Sequence, residues 1–298
     1  MAWDSIGPQS TGAEMIDKEA RSAMQGSRVL LRFRLSSDEV ATPAEPEPLF
    51  ILAQRMAYLS SYFSDAHSHF EAFLVPQMGQ PSFKLWFEHD GKPLKWHLPL
   101  GVLCDLLFGT EPPSPVDITV HFFGCPDKAP VEPFTGLSDL QKAWSHELRA
   151  SLYLQLGSSN VWARLQRQEQ QKLWEAVKNI DLETVASMQD GLLAGRTFKR
   201  ARNLAFRFHI PSAADPHRML LLPGPAFTEA GGQITLQTFL EEALPPIFEA
   251  GRMVEGVEVL SQGLRIPLET PLWWLQVNVA YMDQFVHLVI RLPSSSDA

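Results

Sequence analysis

Cysteine is nearly absent. The 298 residues hold two, Cys104 and Cys125. Two thiols cannot build a disulfide framework. Neither has a second Cys or a His at ligand spacing beside it, so both read as small buried hydrophobes of a reducing compartment. No run of 18 apolar residues occurs, and the first dozen residues lack the apolar centre of a secretory leader. A soluble, cytoplasmic chain is therefore expected. The sequence also lacks GxGxxG, GxxxxGK followed by Ser or Thr, HExxH, CxxC and GxSxG, which removes the usual signatures of nucleotide, zinc and serine-nucleophile chemistry. His67 and His69 lie near Asp65 and Glu71, but helical residues two apart diverge by about 200° and share no ligand face. Cys104 beside Asp105 is the remaining candidate for an enzyme. Successive helical residues point about 100° apart, so the two do not face one another. No catalytic residue, metal or cofactor is expected, and a binding or scaffold protein is the reading that remains.

Hydrophobic residues make up 45 % of the chain and charged residues 20 %, a globular composition with ample material for a core. The net charge of −9 disfavours nucleic acid as a partner of the whole chain. Charge is not spread evenly. From Gln141 to Arg202 ten basic side chains face six acidic ones, so that stretch is positive within an acidic protein. It offers either a solvated helix face or a docking face for an acidic partner.

Residues 1–12 read as a loose tail and 13–25 as a short amphipathic helix closed by Gly26. Arg28 to Leu35 alternates as a strand. PAEPEP (43–48) is a connector, and LFILA (49–53) reads as a second, buried strand. Residues 58–74 carry apolar side chains at helical spacing. Leu85 to Glu88 and Pro93 to Leu98 form a hairpin about His89-Asp90-Gly91. Pro99 then opens a helix that Gly109 closes, and residues 116–123 give another strand. Residues 136–200 contain no proline and are helical, with Leu148, Leu152 and Leu156 on one face. Strands return at 205–210, 219–222, 257–266 and 286–292, with helices after Thr235 and Thr270-Pro271. The fold expected is α+β: two ubiquitin-like β-grasp domains (27–126 and 203–293) flanking a helix-rich region (136–202), with an N-terminal tail and helix (1–26).

One block carries a resemblance. LWFEHDGKPLKWHLPLGVLCDLL (85–107), followed by DITVHFFGCP (117–126), resembles the signature of the autophagy protein 5 family, W-F-E/D-Y/H-x-G-x-P-L-K-W-H/Y-x-P-x-G-L/V-L-x-D-L-L and then N/D-I/L-T-V/I-H-F. Leu268-Glu269-Thr270-Pro271-Leu272 with Trp274-Leu275, Arg55 with Tyr58-Leu59, and Leu173-Trp174 extend the match over about four fifths of the chain. The resemblance implies a scaffold without catalytic groups of its own. It pairs with the ubiquitin-like autophagy protein 12 and binds the N-terminal helix of autophagy protein 16. Through these it promotes lipidation of autophagy protein 8 by its E2 enzyme. It further implies recruitment from the cytoplasm to the preautophagosomal structure and peripheral contact with the isolation membrane.

Besides Gln54, which stands for a proline before Arg55, two departures from the family pattern bear on the binding sites. The acceptor lysine for autophagy protein 12 falls some two dozen residues before Leu173-Trp174, where this chain has Glu147-Leu148-Arg149-Ala150. Arg149 stands in the lysine's place. A guanidinium stays protonated at every relevant pH and cannot attack a thioester. The preferred expectation is a non-covalent pair in which Arg149 holds a carboxylate of the partner. The alternative is covalent attachment through Lys142, seven residues earlier and about 10.5 Å along the same helix. Before the first strand the family carries Trp where this chain has Met24. The groove for autophagy protein 16 is not fixed by the sequence, and the paired Trp273 and Trp274 are its candidates.

Overall fold

The computed structural model describes residues 16–76, 84–125, 134–193, 203–212, 218–249 and 251–292. The loose tail, and Arg196, Lys199, Arg200 and Arg202 of the basic stretch, lie outside the described residues. Helix α1 (Lys18–Gly26) begins at Asp17, whose carboxylate accepts from the Ala20 amide at 3.0 Å and satisfies one orphan donor of the first turn.

Strand β1 (Arg28–Leu35) puts Val29, Leu31, Phe33 and Leu35 into the core, with Arg28, Arg32 and Arg34 on the opposite face. It pairs antiparallel with β2 (Leu49–Gln54). Helix α2 (Phe63–Phe70) buries Ala66 and Phe70 between single-turn 3₁₀ pieces. Strands β3 (Trp86–His89) and β4 (Lys92–Leu94) join through Asp90 and Gly91, at φ of 48° and 74°, as a two-residue hairpin turn requires. Helix α3 (Leu100–Phe108) follows Pro99, and β5 (Val116–His121) returns to the middle of the sheet. The strand order is β2-β1-β5-β3-β4, with β1 and β5 parallel, which is the β-grasp arrangement.

Four helices follow: α4 (Leu137–Leu156), α5 (Asn160–Arg164), α6 (Arg167–Lys178) and α7 (Leu182–Leu192). The second module repeats the first. It runs through β6 (Phe206–His209), β7 (Met219–Leu221), α8 (Leu236–Ala243), a small β8 (Phe248–Glu249) and β9 (Arg252–Met253) hairpin, β10 (Glu258–Ser261), β11 (Leu264–Arg265), α9 (Leu272–Asn278) and β12 (Val286–Arg291). Its order is β11-β10-β12-β6-β7, again with first and last strands parallel. The β8–β9 hairpin answers to no sequence expectation. Residues 257–266, expected as one strand, form two around Gln262 and Gly263, at φ of 57° and 81°. LFILA is also corrected. As β2 it lies at the sheet's end, and Phe50 and Leu52 stand 53 % and 67 % exposed on the outer face.

The first module's core continues into the helical region and takes in Leu260, Tyr281, Met282 and Val289 of the second module. The seam is made by α3, which packs on β10 and β12. Its first amides find partners in the loop after β2: Leu100 N donates to the Ala57 carbonyl and Gly101 N to the Arg55 carbonyl, both at 2.7 Å. A Cβ at Gly101 would stand 2.6 Å from the Tyr281 hydroxyl, so only glycine admits this approach. Arg55 and Asp105 form an ion pair at 2.5 Å with side chains 5 % and 1 % exposed. Burial pushes the Asp105 carboxyl up to about 7 against the pull of Arg55 and of the Gly263 and Gln262 amides. Removing one partner leaves an uncompensated buried group. Asp105→Ala is expected to cost about 3–5 kcal/mol in urea unfolding, and the apolar pair Arg55→Met/Asp105→Leu to recover most of that loss.

Candidate functional site

Helix α4 has two faces. Leu140, Trp144, Leu148, Ser151, Leu152 and Gln155 are buried, spaced as one stripe of a continuous helix. Lys142 and Arg149 are exposed on the other side. A groove of about 480 Å³ runs between α4, α5 and α6. Its aromatic part consists of Trp144, Trp162 and Trp174, with ring centroids 6.0 Å and 5.8 Å from Trp144. Its cations are Lys142, Arg149 and Arg167. The expectation that Lys142 and Arg149 share one face of an unbroken helix therefore holds. Lys142 is loosely paired with Asp139 at 3.8 Å and its side chain is 79 % exposed. Arg149 has no ion-pair partner among the described residues, so its fork of donors is free for an anion. Sequence reasoning missed Arg167 and Trp162, because only the packing of α5 and α6 against α4 brings them in.

The opposite side of α4 is fixed to the second module. Trp144 Nε1 donates to the Met282 carbonyl at 2.9 Å and Ser151 Oγ to the Gln284 carbonyl at 2.7 Å. Glu147, two residues before Arg149, pairs with Arg207 of β6, whose guanidinium lies 4.1 Å from the Phe285 ring centroid. Beside Arg207 is a buried chain: His209 Nε2 to His287 Nδ1 at 2.9 Å, then His287 Nε2 to Asp283 at 3.0 Å. Burial, with the charges of His287, Arg207 and Lys95, holds His209 well below its ordinary value of 6.5. The Asp283 carboxyl is drawn below 3.8 by His287 and Arg207 despite its burial.

The remaining sequence candidates fall elsewhere. Trp273 is 2 % exposed inside the second module's core, and Trp274 is half-buried against it. Burial of Trp273 removes it as a groove residue. A small crevice of about 50 Å³ instead lies between α1, α7 and the α9–β12 loop, with Met24, Met56 and Met282 among its walls. Arg21 closes one end, bound to Asp190 at 2.6 Å and to the Val277 carbonyl. Cys104 is buried, and burial pushes its thiol up to about 12, so it carries no thiolate at neutral pH. His67 lies 3.5 Å from Glu71, while His69 reaches the Glu47 carbonyl at 2.8 Å.

Two β-grasp modules flanking a helical region, with a cationic groove in that region, define a protein of two ubiquitin-like folds joined by a helical bundle. The chain matches three models of one family: "Autophagy protein ATG5, UblA domain" over residues 25–122, "alpha-helical bundle region" over 137–195, and "UblB domain" over 203–290. It belongs to the autophagy protein 5 family. Autophagy protein 5 of Aspergillus clavatus is 28 % identical, covering 88 % of this chain and 93 % of the relative. That of Pichia angusta is 24 % identical, covering 93 % and 98 %. The crystal structure of Kluyveromyces marxianus Atg5 superposes with a TM-score of 0.74 at 18 % identity, over 92 % of this chain and 99 % of that one, and shares the fold. Membership supports a role in autophagy.

The histidine–aspartate chain sets a pH dependence. Above pH 6.5 His209 is neutral in both folded and unfolded chains. Below that value the unfolded chain binds a proton that the folded chain refuses, and stability falls. Asp283 adds a loss of the same sign further down: its depressed pKa stabilises the fold above pH 3.8, and that contribution is lost only as the pH falls below that value. The Asp105 carboxyl, pushed up to about 7 in the folded chain, works against this by taking up a proton on acidification. The His209 contribution is therefore read as a difference: in urea unfolding, the stability of His209→Gln relative to the parent is expected to rise as the pH falls from 6.5 toward 5.

Proposed function

We propose that this protein is a non-enzymatic autophagy scaffold that pairs with the ubiquitin-like autophagy protein 12 across the α4–α6 groove, and that the pair is non-covalent. The observation that supports the reading is Arg149: by the resemblance it stands where the family carries its acceptor lysine, and in the structure it lines a groove with Lys142 and Arg167 and has no ion-pair partner among the described residues. A carboxylate of the partner would receive two parallel N–H donors there. The family's further relations are proposed with it: binding of an autophagy protein 16 helix, with the α1–α7 crevice as one wall, and promotion of autophagy protein 8 lipidation by its E2 enzyme at the isolation membrane. Recruitment from the cytoplasm to the preautophagosomal structure belongs to the same reading.

Covalent pairing through Lys142 is the second reading, favoured by that amine's exposure in the same groove. Coexpression with the same organism's autophagy protein 12, followed by denaturing electrophoresis, separates the two. The expected result is co-purification under native conditions with no shifted band. A band that survives detergent and reductant and disappears in Lys142→Arg would establish the second. In the non-covalent case Arg149→Ala is expected to weaken affinity by about 1.5–3 kcal/mol, roughly ten- to hundredfold, in titration calorimetry.

A further inference from the structure

The outer face of the first module's sheet is divided into two unlike halves. On β2 and β1 the outward residues are Phe50, Leu52 and Leu30, with Arg28, Arg32 and Arg34 beside them. The register places Leu52 against Leu30 and Phe50 against Arg32. Phe50 and Leu52 are two of the most exposed large hydrophobics among the described residues. Across β5 and β3 the character reverses. Trp86 stacks on His121 with centroids 3.7 Å apart and planes within 11°. That stack lines a cavity of about 450 Å³ with Val75 and Phe123, and Asp38 and Glu88 bring negative charge to it. Both halves share one face, because the register sets Arg32 against Asp117, Glu88 against Thr119 and Trp86 against His121. In the middle, Asp117 is shared by Arg32 at 2.5 Å and Arg34 at 3.4 Å, which leaves that side of the face one positive charge in excess.

We propose that this face is a self-association surface: two copies of the chain pair sheet to sheet about a two-fold axis, the apolar-basic half of each covering the acidic-aromatic half of the other. A two-fold interface must be self-complementary, and a surface split into opposite halves meets that condition. The Phe50 and Leu52 side chains would be withdrawn from water against Val75 and Phe123 at the rim of the cavity, while Arg28 approaches Asp38 and Arg34, which shares Asp117 at 3.4 Å, approaches Glu88, which His121 holds at 3.1 Å. An anionic membrane suits only half of this face, because Asp38, Glu88 and Asp117 oppose it. A partner of single charge sign likewise matches one half alone. The inference does not depend on the pairing proposed at Arg149, which lies in the helical region.

Sedimentation velocity on the full chain tests it. From low to high micromolar concentration the weight-average mass is expected to rise from 33.4 kDa toward twice that value. Phe50→Glu is expected to weaken association at least about tenfold, with near-ultraviolet circular dichroism unchanged. Arg28→Glu/Arg34→Glu and Asp38→Lys/Glu88→Lys should each be monomeric, and an equimolar mixture should associate again as a heterodimer. A parent mass that does not vary with concentration overturns the proposal. So does a mixture that stays monomeric, or a Phe50→Glu variant that associates like the parent. Binding of the parent but not of Phe50→Glu to phosphatidylserine vesicles, with no change of mass, would overturn it in favour of a lipid surface.

Discussion

The molecule's shape depends on how closely α3 can approach the second module. That helix belongs to the first β-grasp unit, yet it packs on β10 and β12 of the other. Gly101 permits the contact with Tyr281, and Gly263 leaves room for the Arg55 guanidinium, whose carbon would lie 3.0 Å from a Cβ there. At the far end of α3, Gly109 adopts φ of 71° and lies against Arg291 of β12, a cation placed where the helix presents its free carbonyls. Three glycines and one buried ion pair thus turn two separate folding units into a continuous body. Arg55, Gly101 and Asp105 of this seam are among the residues that resemble the family signature.

Placement of α4 follows from the same arrangement. With the two modules held together, the loop from Tyr281 to Gln284 presents its carbonyls to the helical region, where Trp144, Ser151 and Gln189 donate to them. The Met282 carbonyl accepts from both Trp144 on α4 and Gln189 on α7. Trp144 lines the cationic groove and Gln189 lines the crevice behind α1, so a single backbone oxygen supports both clefts. Glu147 and Arg207 add a charged strut on the same side. Lys142 and Arg149 are left facing outward because Leu140, Trp144, Leu148 and Leu152 of α4 are committed inward.

Much of this was legible in the sequence. Arg28–Leu35 is bounded as its alternation suggests, the Asp90-Gly91 turn is where the hairpin needs positive φ, and Pro99 and Gly109 bracket α3. Lys142 and Arg149 share a face because two turns of helix fix that locally. What the sequence could not tell depends on distant partners. LFILA looks buried by composition, but a strand at the end of a sheet with an uncovered outer face leaves Phe50 and Leu52 in water. The paired Trp273 and Trp274 suggested an exposed ring, whereas α9 is enclosed enough to take most of both. Arg167 enters the groove, and His209 meets His287 and Asp283, through contacts between separate elements that no local spacing encodes.

Arginine at position 149 has a chemical consequence of its own. A lysine ε-amine at that place can become an amide and hold its partner until a protease cuts it. A guanidinium cannot be acylated under such conditions and holds an anion only by charge and geometry. Under the proposed non-covalent pairing, occupancy at Arg149 therefore obeys mass action. It rises and falls with the free concentration of whatever carboxylate it grips, weakens as salt is added, and reverses by dilution without any enzyme to undo it.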